Sequence, residues 1–260
     1  MKELQERVAL VTGGGSGIGR ATAIALAEAG AAVVIADIDE VGGQETVRLL
    51  EEAGGRAAFV HTDVTRWEDL ERMVAFAEET YGGLHILHNN AGVNTGWPPF
   101  PDVGREQWDR TVAVNLWAVI AVIQVAVPVM SRSGGGVVVN TASLAGLVTY
   151  TADPIYAATK HGVVGLTRAL VSLKDQANIR VNCICPGFVD TQFPRRRLAM
   201  MTDEERRRWE AALARMPMIP PSEVADAVLD FVRDESLAGQ VMAIIYGQPR
   251  RLVPPPITLG

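Results

Sequence analysis

The chain has 260 residues, of which 48% are hydrophobic and 21% charged. That is enough apolar material for one α/β domain and too much for extended disorder. A formal net charge of −6 argues against a general binder of nucleic acid or anionic membrane, either of which calls for a basic surface, and favours small-molecule chemistry.

From the N-terminus, short β-branched runs alternate with longer helical patterns. The opening "MKELQERVALVTGGG" has no long apolar run and no cleavage pattern, so a cytoplasmic protein without a leader is expected. Strands are predicted at 8–12, 32–36, 57–61, 84–89, 136–141, 180–184 and 240–245. Between them, "SGIGRATAIALAEAG" reads as a helix stopped by Gly30. Thr65 and Glu68 form a candidate capping box for a helix over 66–81, and Ser222, after two prolines, should cap one running to about 233. Most of the strand runs are continuously apolar, the pattern of a parallel sheet covered on both faces. The expectation is an α/β Rossmann fold, a doubly wound sheet of about seven strands with helices on both faces, in a single domain over 1–260.

Residues 116–130 are apolar but short for a membrane span, and Gln124 and Pro128 interrupt them. Such a helix belongs in the protein interior or at an interface between subunits, so a homodimer or homotetramer is expected, with no membrane partner. A basic amphipathic segment is inserted at about 188–221. Its arginines at 195–197 and 206–208 could attract an acidic substrate, but pairing with Asp203, Glu204 and Glu205 on a solvated face is the preferred reading. The tail "GQPRRLVPPPITLG" should not be helical. Cys183 and Cys185, two apart on a strand, are poorly placed for a disulfide, and no Cys or His cluster completes a metal site. They read as small buried residues of a protein in a reducing compartment.

The chemistry concentrates in three places. The glycine-rich turn of Gly13, Ser16, Gly17 and Gly19 joins the first strand to the first helix, where backbone N–H groups and the helix dipole favour a pyrophosphate. The spacing is not G-x-G-x-x-G. The second strand ends in Asp37, followed by Ile38, where a carboxylate can bind ribose hydroxyls and would repel a 2′-phosphate. No Lys or Arg follows in "DIDE", so NAD is expected rather than NADP. Tyr156 and Lys160 lie one helical turn apart, and an ammonium beside a phenol should lower its pKa toward that of a usable general base. Ser143, just past a strand's C-terminal end, can steady the substrate oxygen.

Together, "TGGGSGIG", "NNAG", "VNLWA", Ser143 with the Tyr156/Lys160 pair, and "CPGFVDT" resemble the short-chain dehydrogenase/reductase family over nearly the whole chain. The resemblance implies a catalytic tetrad of Asn115, Ser143, Tyr156 and Lys160, with Lys160 also on the nicotinamide ribose and Asn115 holding a water that links Lys160 to solvent. It implies that Ile18 lies under the cofactor and that Asp63 and Val64 contact the adenine. It also implies that Asn90, Ala91 and Gly92 line the cofactor channel, while Pro186, Gly187, Val189 and Thr191 position the carboxamide. The family reaction is hydride transfer between a secondary alcohol or carbonyl and a nicotinamide. An NADPH-dependent carbonyl or 3-oxoacyl reductase and a non-catalytic dinucleotide sensor are the alternatives. "SLAGL", "KHGVVGLTRAL" and "ICPGFVDT" resemble the 15-hydroxyprostaglandin dehydrogenases locally. With Trp97, Phe100 and Met200 expected at the cleft mouth, they point to a bulky hydrophobic substrate. His88, before "NNAG", is expected to be a satisfied core histidine.

Overall fold

Strand β1 (Val8–Thr12) is buried along its whole length and is an interior strand of the sheet. Successive side chains of a strand point to opposite faces. Val8 and Leu10 therefore join one apolar cluster and Ala9 and Val11 the other, each covered by helices. The computed structural model describes residues 3–255, without the side chains of Arg197 and Ala199.

The other strands are β2 (Ala32–Asp37), β3 (Arg56–His61), β4 (Ile86–Asn89), β5 (Gly136–Thr141), β6 (Ile179–Pro186), β7 (Val241–Ile244) and β8 (Arg251–Leu252). They are ordered β3-β2-β1-β4-β5-β6-β7-β8, and every pairing is parallel except β7 with β8. This is the doubly wound fold read from the sequence, with one strand more. The short antiparallel β8 lies in the proline-rich tail, where two residues carry no periodic signal; Pro256 to Gly260 lie outside the described residues.

One face is packed by α3 (Trp67–Tyr81), α5 (Ala118–Arg132) and α6 (Pro154–Ala169), and the other by α1 (Gly17–Glu28), α2 (Glu40–Glu52) and α9 (Pro221–Arg233). The helix α4 (Arg105–Val112) runs through a π-turn at Ala113–Trp117 into α5. That makes one helical stretch from Arg105 to Arg132, long and apolar enough to cross a membrane by composition. The apolar run 116–130 is the second half of this longer stretch. Here the stretch covers the sheet, with Val122, Ala126 and Met130 in the core and Trp117 and Ile120 exposed. A short α7 (Leu173–Ala177) leads into β6, and α8 (Asp203–Leu213) lies in the segment between β6 and α9.

Two predicted caps are not formed. The Thr65 hydroxyl donates to Asp63 Oδ1 (2.7 Å) rather than capping α3. Asp69, in the first turn of α3, accepts from the Asp63 backbone N–H (2.9 Å), which ties the start of the helix to the loop before it. Helix α9 starts at Pro221, whose fixed φ suits the first helical position, which puts Ser222 inside the first turn.

Candidate active site

Between β1 and β4 the strand order reverses direction, and the crevice beyond the strands' C-terminal ends holds a cavity of about 620 Å³. At one end it is lined by Gly13, Ser16, Gly17 and Ile18 with Asp37, Ile38, Asp63 and Val64. Asn90, Ala91 and Gly92 line its middle. Ser143, Tyr156, Lys160, Pro186, Gly187, Val189 and Thr191 line the other end. Of the residues named from the sequence, Gly19 and Asn115 lie behind this wall.

Gly19 is where α1 crosses the turn: a Cβ there would lie 2.1 Å from the Gly13 carbonyl oxygen. Gly13 adopts φ +65° against Ala91, which a side chain would strain. These glycines leave the N-terminus of α1 bare toward the cavity, a fit for a pyrophosphate. Asp37 Oδ2 accepts from Gly15 N–H (2.8 Å) and Oδ1 from Asp39 N–H (2.9 Å), which fixes its carboxylate at the cavity edge. The nearby cation, Arg20, is already used. Its guanidinium donates to the carbonyls of Gly15 and Gly42 and to Thr46 Oγ1.

Thr12 Oγ1 ties the two central strands together by accepting from the N–H groups of Asn90 (2.9 Å) and Ala91 (3.1 Å). Asn115 lies in the π-turn, a widening of the helix that recurs at functional sites. Its side chain donates to the Val93 carbonyl (2.7 Å) and accepts from Val93 N–H (2.8 Å). Gly92 lies between Asn115 and Lys160, since a Cβ there would be 3.4 Å from Asn115 Oδ1 and 3.7 Å from Lys160 Nζ.

Helix α6 presents the reactive pair. Asp153 caps it, accepting from Tyr156 N–H (3.0 Å) and, from the loop after β4, from Thr95 N–H (3.0 Å) and Oγ1 (2.7 Å). Ser143 hydrogen-bonds the Tyr156 phenol. Lys160 Nζ donates to the Thr141 carbonyl (2.8 Å) and lies 5.6 Å from the centre of the Tyr156 ring. Here the electrostatic expectation needs correcting. Burial pushes the phenol above its ordinary range, opposed by the Ser143 hydrogen bond, and Lys160 is not among the groups that lower it. Lys160 is itself pushed down to about 8 by burial. The cost of removing a charge from water outweighs an ammonium that points at a backbone carbonyl beside the ring.

His88 is only half satisfied. Its Nε2 lies 2.9 Å from Thr141 Oγ1, its Nδ1 has no partner among the described residues, and burial pushes its pKa down to about 3. Trp97, Phe100 and Met200 do not line the cavity; Met200 and the Trp97 carbonyl meet Gln107 on α4 instead. The apolar wall is made by Leu144, Val148, Tyr150, Phe188, Phe193 and Trp209. The Phe193 and Tyr150 rings lie 5.9 and 6.5 Å from that of Tyr156. Sequence reasoning missed these residues because all but Trp209, which lies on α8, sit on loops or short 3₁₀ turns without periodicity. Asp153, directly before a proline at a helix start, did carry a legible cap signal. The inserted arginines divide: Arg206 and Arg208 pair with Asp203 and Glu204 as expected, Arg195 pairs with Asp190, and Arg196 lines the cavity.

Residues 7–201 match the model of the short chain dehydrogenase family. A cyclohexanol dehydrogenase of Acinetobacter sp. (strain SE19) is 40% identical over 189 residues, covering 73% of this chain and 75% of that one. The NAD(+)-dependent 15-hydroxyprostaglandin dehydrogenase of Mus musculus is 33% identical, over 92% of this chain and 89% of its own. The crystal structure of levodione reductase superposes with a TM-score of 0.86 at 30% identity, covering 94% of this chain and 98% of that one.

Proposed function

The chain belongs to the short-chain dehydrogenase/reductase family, and on that premise we propose that it moves hydride between NAD and a secondary alcohol or ketone with an apolar body. The observation that carries this reading is a single cavity with Ser143, Tyr156 and Lys160 at one end and the glycine turn with Asp37 at the other. Bound NAD supplies the hydride acceptor and a positive ring charge.

Tyr156 takes the proton of the alcohol, or returns it to the carbonyl oxygen in the reverse direction, while the Ser143 hydroxyl holds that oxygen. Lys160 holds the nicotinamide ribose. A water seated between Asn115 and Lys160, beside Gly92, would carry the proton onward. NAD over NADP is supported by the fixed Asp37 carboxylate and by Arg20 being turned to backbone carbonyls. Asp63 and Val64 flank the adenine, and Pro186, Gly187, Val189 and Thr191 orient the carboxamide. The segment 188–221 closes over the reacting atoms and keeps water out. The cyclohexanol and hydroxyprostaglandin activities of the relatives support a secondary alcohol as substrate. A second copy of the chain on the exposed Trp117 of the π-turn and Ile120 of α5 would give a homodimer or homotetramer, and the buried free cysteines suit a cytoplasmic location.

The test is spectrophotometric: NAD and NADP, each with cyclohexanol, long-chain secondary alcohols and polyols. Turnover with NAD is expected on the apolar alcohols, and Tyr156→Phe should lower it by roughly 10²–10⁴-fold while NAD still binds. Turnover with NADP alone would overturn the cofactor assignment. Unchanged turnover in the variant would remove Tyr156 from the chemistry.

A further inference from the structure

Arg196 differs from its neighbours in the segment between β6 and α9. Arg195 donates to the Thr191 carbonyl (2.6 Å) and pairs with Asp190 (3.0 Å), Arg206 pairs with Asp203 and Arg208 with Glu204. Arg196 lines the cavity, and its guanidinium makes no ion pair or hydrogen bond among the described residues. The acidic residues on the same wall are Asp37, Asp39 and Asp63, all at the ends of β2 and β3, beside the glycine turn. Two guanidiniums line the cavity, Arg110 from α4 and Arg196 from the segment that also carries Phe193, and none of the three lining carboxylates comes from that segment. Asp153, close by, is used by Thr95 and by the Tyr156 backbone.

The local backbone aims this cation. Phe193 and Arg196 belong to one 3₁₀ segment, Phe193–Met200. In that geometry side chains three apart eclipse, separated by about 6 Å along the axis. The Phe193 ring lies 5.9 Å from the Tyr156 ring, and Arg196 follows Phe193 by one turn of the same segment. Trp209 donates from Nε1 to the Pro194 carbonyl (3.1 Å) and holds this turn against α8. A molecule with its carbinol carbon at Tyr156 would lay an apolar body along Phe193 and Trp209 and reach Arg196 with its far end.

A guanidinium is a planar fork that matches a carboxylate with two parallel hydrogen bonds. We propose that the substrate is a hydroxy acid or oxo acid, its carboxylate separated from the reacting carbon by an apolar body, and that Arg196 selects it. This rests on the oxidoreductase reading above and narrows its substrate class. Phosphate oxygens of a dinucleotide offer the guanidinium similar chemistry, and the experiment separates the two sources.

The substrates are 5-hydroxyhexanoate and 9-hydroxydecanoate, each compared with its methyl ester in the presence of NAD, in the wild type and in Arg196→Gln. The expectation is that at least one acid exceeds its ester in kcat/KM by roughly tenfold or more in the wild type. Arg196→Gln should abolish that preference by raising KM for the acid, with the ester and the KM for NAD unchanged. Equal use of acid and ester by the wild type would overturn the proposal while leaving the oxidoreductase reading intact. A rise in KM for NAD matching that for the acid would assign Arg196 to the cofactor and also overturn it. Calorimetric titration with decanoate needs no turnover: about tenfold weaker binding to Arg196→Gln supports the carboxylate site, and equal binding rejects it even if no alcohol is oxidised.

Discussion

At the scale of single residues, His88 shows how a core position can carry a pH dependence. The free imidazole takes up its proton near 6.5, whereas the buried one is held down to about 3. Between those values the unfolded chain binds the extra proton and the folded chain does not, so stability falls as pH falls, by about 1.4 kcal/mol per unit. Urea midpoints at pH 7.5 and pH 5 should drop further for the wild type than for His88→Val, by the equivalent of about 2 kcal/mol; equal drops would show that the imidazole is not the group responsible. The sequence marked His88 as buried but not its unpartnered Nδ1, which depends on what β5 places opposite it. Tyr156 teaches a similar lesson. Its spacing from Lys160 was legible, but the direction of its pKa was not, because desolvation is set by residues far away in the chain.

At the scale of elements, the glycine turn, the strands and α6 were legible because each is a continuous local pattern. The π-turn at Asn115 was not, since one extra residue in a helical turn leaves the apolar periodicity nearly intact. The box expected at Thr65 failed because the Asp63 carboxylate takes both the Thr65 N–H and its hydroxyl. Asp153 joins two elements by capping α6 and holding the loop after β4 through Thr95. Replacing a cap of this kind by Ala costs about 1 kcal/mol, and here Thr95 also loses its acceptors. Asp153→Ala should therefore melt earlier by a few degrees, roughly 2–6 °C, and lose kcat more than its fold loses stability, because α6 carries the reactive pair. Calorimetry and initial rates on one preparation check this; unchanged kcat would show that the cap is structural only.

At the scale of the whole molecule, the reversal of strand order between β1 and β4 determines where a ligand fits, and a ligand that binds only the folded state stabilises it. NAD at a hundred times its dissociation constant should add about 2.7 kcal/mol, raising the melting temperature by roughly 5–10 °C. NADP at the same concentration should raise it much less, and Asp37→Ala should narrow the gap between the two. Equal shifts in the wild type would contradict the role given to Asp37.

The two-residue β8 has a consequence for how copies of the chain can meet. It lies antiparallel along β7, and Val253 N–H donates to the Val241 carbonyl (2.7 Å), so the last parallel strand has no long free border. Among the described residues no strand pairs with the opposite border, β3. Endless fibril growth by head-to-tail strand addition needs two complementary borders on every copy. With one of them cut to the two residues of β8, a border-to-border encounter of any length can only join β3 to another β3 about a two-fold axis, which ends at a pair.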